Sequence, residues 1–400
     1  MRKRAGRLEA AEGCALRAIA FNVKYSENVG DGVIAECMEE CARDLGSEIV
    51  TFDLAGRSEY GERTVPARLL VMKMLAMLPR PLRRRIVRAR LSRSLAALRE
   101  RWRAALQQAD LAIIGGGNLL QDDDLNFPLK VGAALDLAAE VGVPVRVHAV
   151  GAVPGWSEEA RECLARLRDR AVRITVRDEA SRDALRKELG REDIGLAKDP
   201  GLLAGLLIRE HRERGRQSSE APRVGIGIIH PAVVSRHAHG APRPTTRDFA
   251  DMVVAAAARG WRVSLFTNGA AEDQRELEAV HALLEPEVAS RTEKVERPTD
   301  PRMLARTIAG FDGVVAHRLH ACILAYALDR PAIGLAWDEK VRSFFRLTGR
   351  ERFVMSPGDG AEIVARLAQA LESGHDGDTR SAEIGAAREN LADALASGAR

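Results

Sequence analysis

Arg318, His320 and Lys340 fall in one short stretch, DGVVAHRLHACILAYALDRPAIGLAWDEKVR (312–342), threaded between apolar runs. VVA at 314–316 predicts a short buried strand ending in a polar turn. CILAYAL at 322–328 predicts a helix and PAIGLAW at 331–337 the next strand. Such a strand–turn–helix unit puts His320 at or near a helix N-terminus, where free N–H groups and the macrodipole favour an anion. Lys340 follows the next strand on the same edge of a parallel sheet, the edge where open α/β folds bind ligands. Two cations and an imidazole converging there describe an anion site. Arg can clamp a carboxylate or phosphate with two parallel bonds, and Lys suits a phosphate as a compact charge. The plainer alternative is a structural Arg, a capping His and a surface Lys.

Further polar groups fall at predicted strand ends. N-V-G-D (Asn28, Gly30, Asp31) and G-G-G-N (Gly115, Gly116, Gly117, Asn118) follow the first and third predicted strands. Glycine there lets backbone approach a ligand, and the next helix N-terminus can take a phosphate or sugar oxygen. A tight turn is the bland alternative. There is no G-x-G-x-x-G and no Walker Lys, so a dinucleotide or ATP site is poorly supported. Arg177 ends the strand ITV; the alternative is an Arg177–Asp178 surface turn with Ser181 as a cap. Asn268 and Gly269 end a strand of the second half and either line a cleft or turn the chain. Gln121 and Asp122 are acceptor-side polar groups. The adjacent carboxylates Asp122–Asp124 point in different directions and make no metal site. His230, His237 and His239 share HPAVVSRHAHGAPRP, read as a long loop: plain surface, a lid over an acceptor, or a metal site.

The run H-R-L-H-A-C-I-L-A-Y-A, with the Lys of W-D-E-K twenty residues after its second His, resembles the polysaccharide pyruvyltransferase family. Members carry an R-L-H-A motif and a downstream Asp-x-Lys. N-V-G-D at 28–31, G-G-G-N-L-L-Q-D at 115–122, V-R-D-E-A-S at 176–181 and D-P at 199–200 fit in the same order, over about residues 20 to 345. The resemblance implies phosphoenolpyruvate as donor and a pyruvate ketal formed on a sugar of a cell-envelope or exopolysaccharide precursor. It associates Arg318, His320 and Lys340 with donor binding and catalysis, and V-R-D-x-x-S brings Arg177 to the donor. His320 is the expected general acid/base, with Arg318 and Lys340 easing phosphate departure. The substrate-binding set is completed by Asn28, Gly30, Asp31, Gly116, Gly117, Asn118, Leu319 and Asn268. No metal and no cofactor are expected, phosphoenolpyruvate being a co-substrate. His317 departs from the small residue, often Ser, that precedes Arg-Leu-His in many relatives, which bears on substrate identity rather than class. Two rivals stand beside this reading. One is a GT-B glycosyltransferase using a nucleotide-sugar, which shares the fold. The other is a non-catalytic glycan-binding protein.

The elements that must position these groups alternate strand and helix, which predicts a parallel α/β sheet. The polar run 209–223 breaks the alternation, and it restarts afterwards. The expected organisation is a Rossmann-like domain over 1–210, a linker at 211–222 and a second Rossmann-like domain over 223–400. The expected architecture is two Rossmann-like domains facing across a cleft, GT-B-like, as the resemblance also implies. Four hundred residues suit two domains, and 46% hydrophobic with 30% charged residues describes a soluble globular chain. Five cysteines without a C-x-x-C pair argue for reduced thiols. With no signal-like start and no long apolar run, a cytoplasmic location is expected.

The net charge of +4 hides an asymmetry. Arg63–Arg103 holds 13 basic residues and one acid, a balance of +12 that leaves −8 for the rest. This basic helical insertion, 63–106, is either a solvated helix packed on the protein or a peripheral contact with an anionic inner-membrane face that serves a lipid-linked acceptor. Nucleic acid is not an expected partner, since Trp102 is the one aromatic in the stretch.

Overall fold

The computed structural model describes residues 16–62, 74–75, 77–210, 221–237, 244–374 and 376–396. Most of the expected linker, the first part of the basic insertion and His239 lie outside the described residues.

The first sheet contains β1 (Arg17–Asn22), β2 (Glu48–Asp53), β3 (Leu111–Gly115), β4 (Val145–Val150), β5 (Ala171–Val176) and β6 (Ile194–Leu196). All neighbours are parallel, in the order β2-β1-β3-β4-β5-β6. Its helices are α1 (Gly30–Asp44), α2 (Arg80–Leu106), α3 (Asn126–Val141), α4 (Glu158–Arg170) and α5 (Glu179–Leu189). β3 is buried throughout, which is why LAIIG reads as an unbroken apolar run; β4 is equally buried but carries Arg146 and His148 within it.

The second sheet is built from β7 (Arg223–Gly227), β8 (Arg262–Phe266), β9 (Thr292–Lys294), β10 (Gly313–Ala316), β11 (Ala332–Leu335) and β12 (Val354–Met355). It too is parallel throughout, in the order β12-β11-β10-β7-β8-β9. The accompanying helices are α6 (Pro231–His237), α7 (Thr246–Ala258), α8 (Ala271–Ala282), α9 (Pro286–Arg291), α10 (Pro301–Ala309), α11 (Leu319–Ala327), α12 (Glu339–Leu347), α13 (Gly360–Ser373) and α14 (Gly377–Leu395). Each sheet reverses its winding once, between β1 and β3 in the first and between β7 and β10 in the second. In open parallel sheets, ligands bind beyond the carboxyl ends of the strands at such a reversal.

Several elements differ from expectation. The short edge strands β6, β9 and β12 carry too few residues for a periodic signal. Residues 231–237 are helical rather than loop, with Pro231 at the first helical position, where its missing N–H costs nothing. α11 begins at Leu319, three residues before the apolar run that predicted it.

The compact units are not two consecutive stretches. One comprises Met1–Lys24, Met38–Pro200 and Ala387–Arg400, the other Tyr25–Cys37 and Gly201–Ala386. The end of α14 belongs to the first because Arg146 of β4 donates to the carbonyls of Ala394 and Ala396, both at 2.8 Å. Asn390 also accepts from the Lys198 amide at 2.8 Å. No helix among the described residues is long and apolar enough to cross a membrane.

Candidate functional site

In the second unit, the corner between β10 and α11 carries the motif. Strand alternation past Ala316 sends successive side chains to opposite faces. His317 goes into the core, 1% exposed, with its ring edge-on to Phe249 of α7 at 5.2 Å. Burial lowers its pKa to about 3, so the ring is neutral at neutral pH. The departure from the family pattern at this position is therefore a packing matter.

Arg318 turns the other way and is held by Asp273, in the first turn of α8. Its Nε and Nη2 donate to Asp273 Oδ2 at 3.2 and 2.5 Å, while the His230 amide donates to Oδ1 at 2.8 Å. One buried carboxylate thus fixes both the Arg318 guanidinium and the loop leaving β7. Burial raises the Asp273 pKa, opposed by Arg318 and by the His230 N–H. Arg318 is also the N-cap of α11; its side chain makes no cap bond, and its carbonyl accepts from the Ala321 amide at 3.0 Å.

His320 is the second residue of α11 and is 7% exposed. It packs on Gly30: a Cβ added there would lie 2.8 Å from His320 Cβ and 3.0 Å from Nδ1. Gly30 is thus explained by room for the imidazole. The turn before it is tied to the end of β8, where Asn268 O accepts from the Val29 amide at 2.9 Å. Gly269 (φ +98°) completes the approach, since a Cβ there would meet Glu27 O and Pro298 O at 2.8 Å. Asn28 Oδ1 and Asn268 Nδ2 are both buried without a hydrogen-bond partner among the described residues. An unused acceptor and an unused donor in adjoining turns suit a ligand hydroxyl, which can satisfy both. Asp31 follows in the first turn of α1. Lys340 lies in the first turn of α12, 3.7 Å from Asp338, whose carboxylate caps that helix at Val341. It shares the sheet edge of Arg318, because β11 is the parallel neighbour of β10. Trp337 Nε1 donates to His317 O at 3.0 Å between the two loops.

The remaining expected residues gather in the first unit. Gly116 and Gly117 have φ of +68° and +73°, so the turn itself calls for glycine. Gly116 N donates to His148 O, and Gly117 O accepts from Gly151 N at 2.7 Å. Asn118 and Arg177 meet over Gly151, where a Cβ would lie 2.6 Å from Asn118 Oδ1 and 2.8 Å from Arg177 Nη2. Arg177 stands between Asp178 and Asp199, at 3.5 Å from each. Asp178 also caps α5 by accepting from Ser181 N at 2.7 Å. Asp122 accepts from the Leu125 and Ser157 amides and from Arg84, so it serves the fold. Among the described residues no group of three or more His, Cys, Asp or Glu is arranged to hold a metal.

Sequence reasoning missed Asp273, Gly151 and the His230 amide. A lone Asp inside an amphipathic helix and a glycine ending a strand carry no local signal, because their importance comes from partners 45 and 26 positions away.

A family model described as Polysaccharide pyruvyl transferase matches residues 28–339. No curated protein matches the chain. Among solved structures, UDP-GlcNAc 2-epimerase from Neisseria meningitidis, bound to UDP-GlcNAc, superposes with a TM-score of 0.54 at 10% identity. That match covers 95% of this chain and 99% of the epimerase. The Methanocaldococcus jannaschii UDP-GlcNAc 2-epimerase gives 0.53 at 8% identity, covering 94% and 98%. Likeness at this identity shows the fold, the expected GT-B-like α/β class of two Rossmann-like units.

Proposed function

The chain belongs to the polysaccharide pyruvyl transferase family, and on that premise we propose that it transfers pyruvate from phosphoenolpyruvate to a sugar diol of a cell-envelope or exopolysaccharide precursor, forming a pyruvate ketal. The observation that carries the reading is the β10–α11 corner. A cation and an imidazole stand there at a helix start whose N-cap side chain makes no cap bond, beside the winding reversal of the second sheet.

Phosphoenolpyruvate brings a carboxylate and a phosphate, and Arg318 with the opening amides of α11 can accept one of them. The Nη1 group of Arg318 remains for the donor, since Nε and Nη2 are turned to Asp273. In the reaction the methylene carbon takes a proton and C2 is attacked by a sugar hydroxyl. The C2–O bond to phosphate then breaks, and a second hydroxyl adds at C2 to close the ring. Of the two hydroxyl protons released, one balances the new methyl group and the other leaves with phosphate. His320 is the group suited to move the proton at the methylene carbon. Arg318 and Lys340 would stabilise the charge on the leaving phosphate. Asn28 and Asn268 would hold an acceptor hydroxyl between the unused carbonyl and the unused amide. Arg177, in the first unit, has two carboxylate neighbours that leave it little net positive field.

Calorimetric titration with phosphoenolpyruvate and with nucleotide-sugars, on the native chain and on Arg318→Ala, tests the reading. Phosphoenolpyruvate binding that disappears in Arg318→Ala is the expected result. Binding of a nucleotide-sugar instead would move the chain to glycosyl transfer. Absence of phosphate release with any glycan acceptor would favour a non-catalytic binder.

A further inference from the structure

The 27-residue helix α2 uses its charges differently on its two sides. On the inner side Leu95, Trp102 and Leu106 are buried, with Trp102 edge-on to Phe21 at 5.2 Å. The cations there and on its flank are paired: Arg84 with Asp122 at 2.8 Å, and Arg99 and Arg103 with Glu140, each at 2.7 Å. On the outer side the helical repeat brings Leu82, Ile86 and Arg93 within about 40° of one another, with Arg85 next to them. Leu82 and Ile86 are 46% and 40% exposed, and Met77, just before the helix, is 85% exposed. Arg85 and Arg93 are exposed and make no ion pair among the described residues.

We propose that this outer face docks on an anionic phospholipid bilayer. Packing and ion pairing explain the inner side of α2. They leave unexplained why two branched apolar side chains and a methionine face water beside unpaired guanidinium groups. A headgroup layer accounts for both: the apolar side chains reach the acyl boundary while the guanidinium groups remain among the lipid phosphates. Charge complementarity supports the same partner, since +12 is concentrated in 63–103 while the rest of the chain is negative. Nucleic acid fits the face less well. Single strands bound without sequence preference stack on aromatic platforms, and the only aromatic in the helix, Trp102, is buried in the core. The docking face is independent of the proposed donor site, so either can fail alone.

The test is co-sedimentation of the full chain with phosphatidylcholine vesicles, with and without phosphatidylglycerol, at low and high salt. Binding that requires phosphatidylglycerol and weakens with salt is expected. Arg85→Gln with Arg93→Gln should weaken it roughly fivefold per charge removed. Leu82→Ser with Ile86→Ser should remove the part that survives high salt. All four positions are exposed, so unchanged circular dichroism and unchanged phosphoenolpyruvate binding are expected of both variants. The proposal is overturned if anionic vesicles do not bind, or if neither double variant alters binding. It is equally overturned if single-stranded DNA binds the chain more tightly than the vesicles and is lost in the same variants.

Discussion

Two strand-to-helix corners of this molecule carry an arginine in nearly the same place and use it differently. After β5, Arg177 is followed by Asp178, which caps α5, and the guanidinium stands between two carboxylates, with 6% of its side chain exposed. After β10, Arg318 is itself the N-cap of α11, has one carboxylate partner and keeps 16% of its side chain exposed. The first corner caps its helix start from within the chain and sets its cation between two carboxylates, although Arg177 Nε makes no hydrogen bond among the described residues. The second has no side-chain cap from its N-cap residue and keeps the Nη1 of its guanidinium clear of Asp273. The difference teaches that an Arg at the carboxyl edge of a parallel strand is a ligand group only when its neighbours leave it field and donors to give.

The comparison can be broken most sharply at His320. On the proposed chemistry, His320→Ala should lower phosphate release at saturating donor by about 10²–10⁴-fold, with the circular dichroism of the folded chain retained. Wild-type turnover would take His320 out of the chemistry. Next come the two carboxylates. Asp273→Ala leaves the half-buried Arg318 without its counter-charge and should cost about 3 kcal/mol in a urea titration. Asp178→Ala removes a cap while Asp199 still faces Arg177, so about 1 kcal/mol is expected. Equal losses would mean that the two corners are not built differently.

The buried histidines give a third contrast, one in each unit. Burial lowers the pKa of His148 in β4 to about 4 and that of His317 to about 3, against 6.5 for the free side chain. The folded values lie below the unfolded one, so each contribution is complete above pH 6.5. It declines as the pH falls, and is lost by about pH 4 for His148 and about pH 3 for His317. That amounts to about 1.4 kcal/mol per pH unit and per histidine. His317→Phe should therefore flatten the acid limb of a stability-against-pH curve; an unaltered limb would show that His317 is not titrating with unfolding. The last effect is geometric. Gly30→Ala should push the His320 ring from its place and reduce turnover by about 10²-fold, with a weaker effect on phosphoenolpyruvate affinity. A variant with native turnover would show that His320 tolerates displacement.

Much of this was legible in the residues. β10, β11 and the start of α11 follow from VVA, PAIGLAW and the apolar helix run, since buried parallel strands read as short apolar blocks. The positive φ of Gly116 and Gly117 agrees with a turn that only glycine makes cheaply. The short edge strands were not legible, nor was the helix at 231–237, because a few residues carry no period. Gly30 also gives room to the His320 ring, a reason that the residue's type and its local motif do not carry.

The amino-acid sequence by itself determined the α/β class, the order of the motifs and the position of His320 at a helix start. Those properties depend on local periodicity and on which residues stand next to one another. Only the tertiary structure decided that Asp273 holds Arg318, that Asn28 and Asn268 lie in adjoining turns, and that His317 belongs to the core. Pairing and burial are relations between segments far apart in the chain, and no local pattern encodes a partner that folding alone brings within 3 Å.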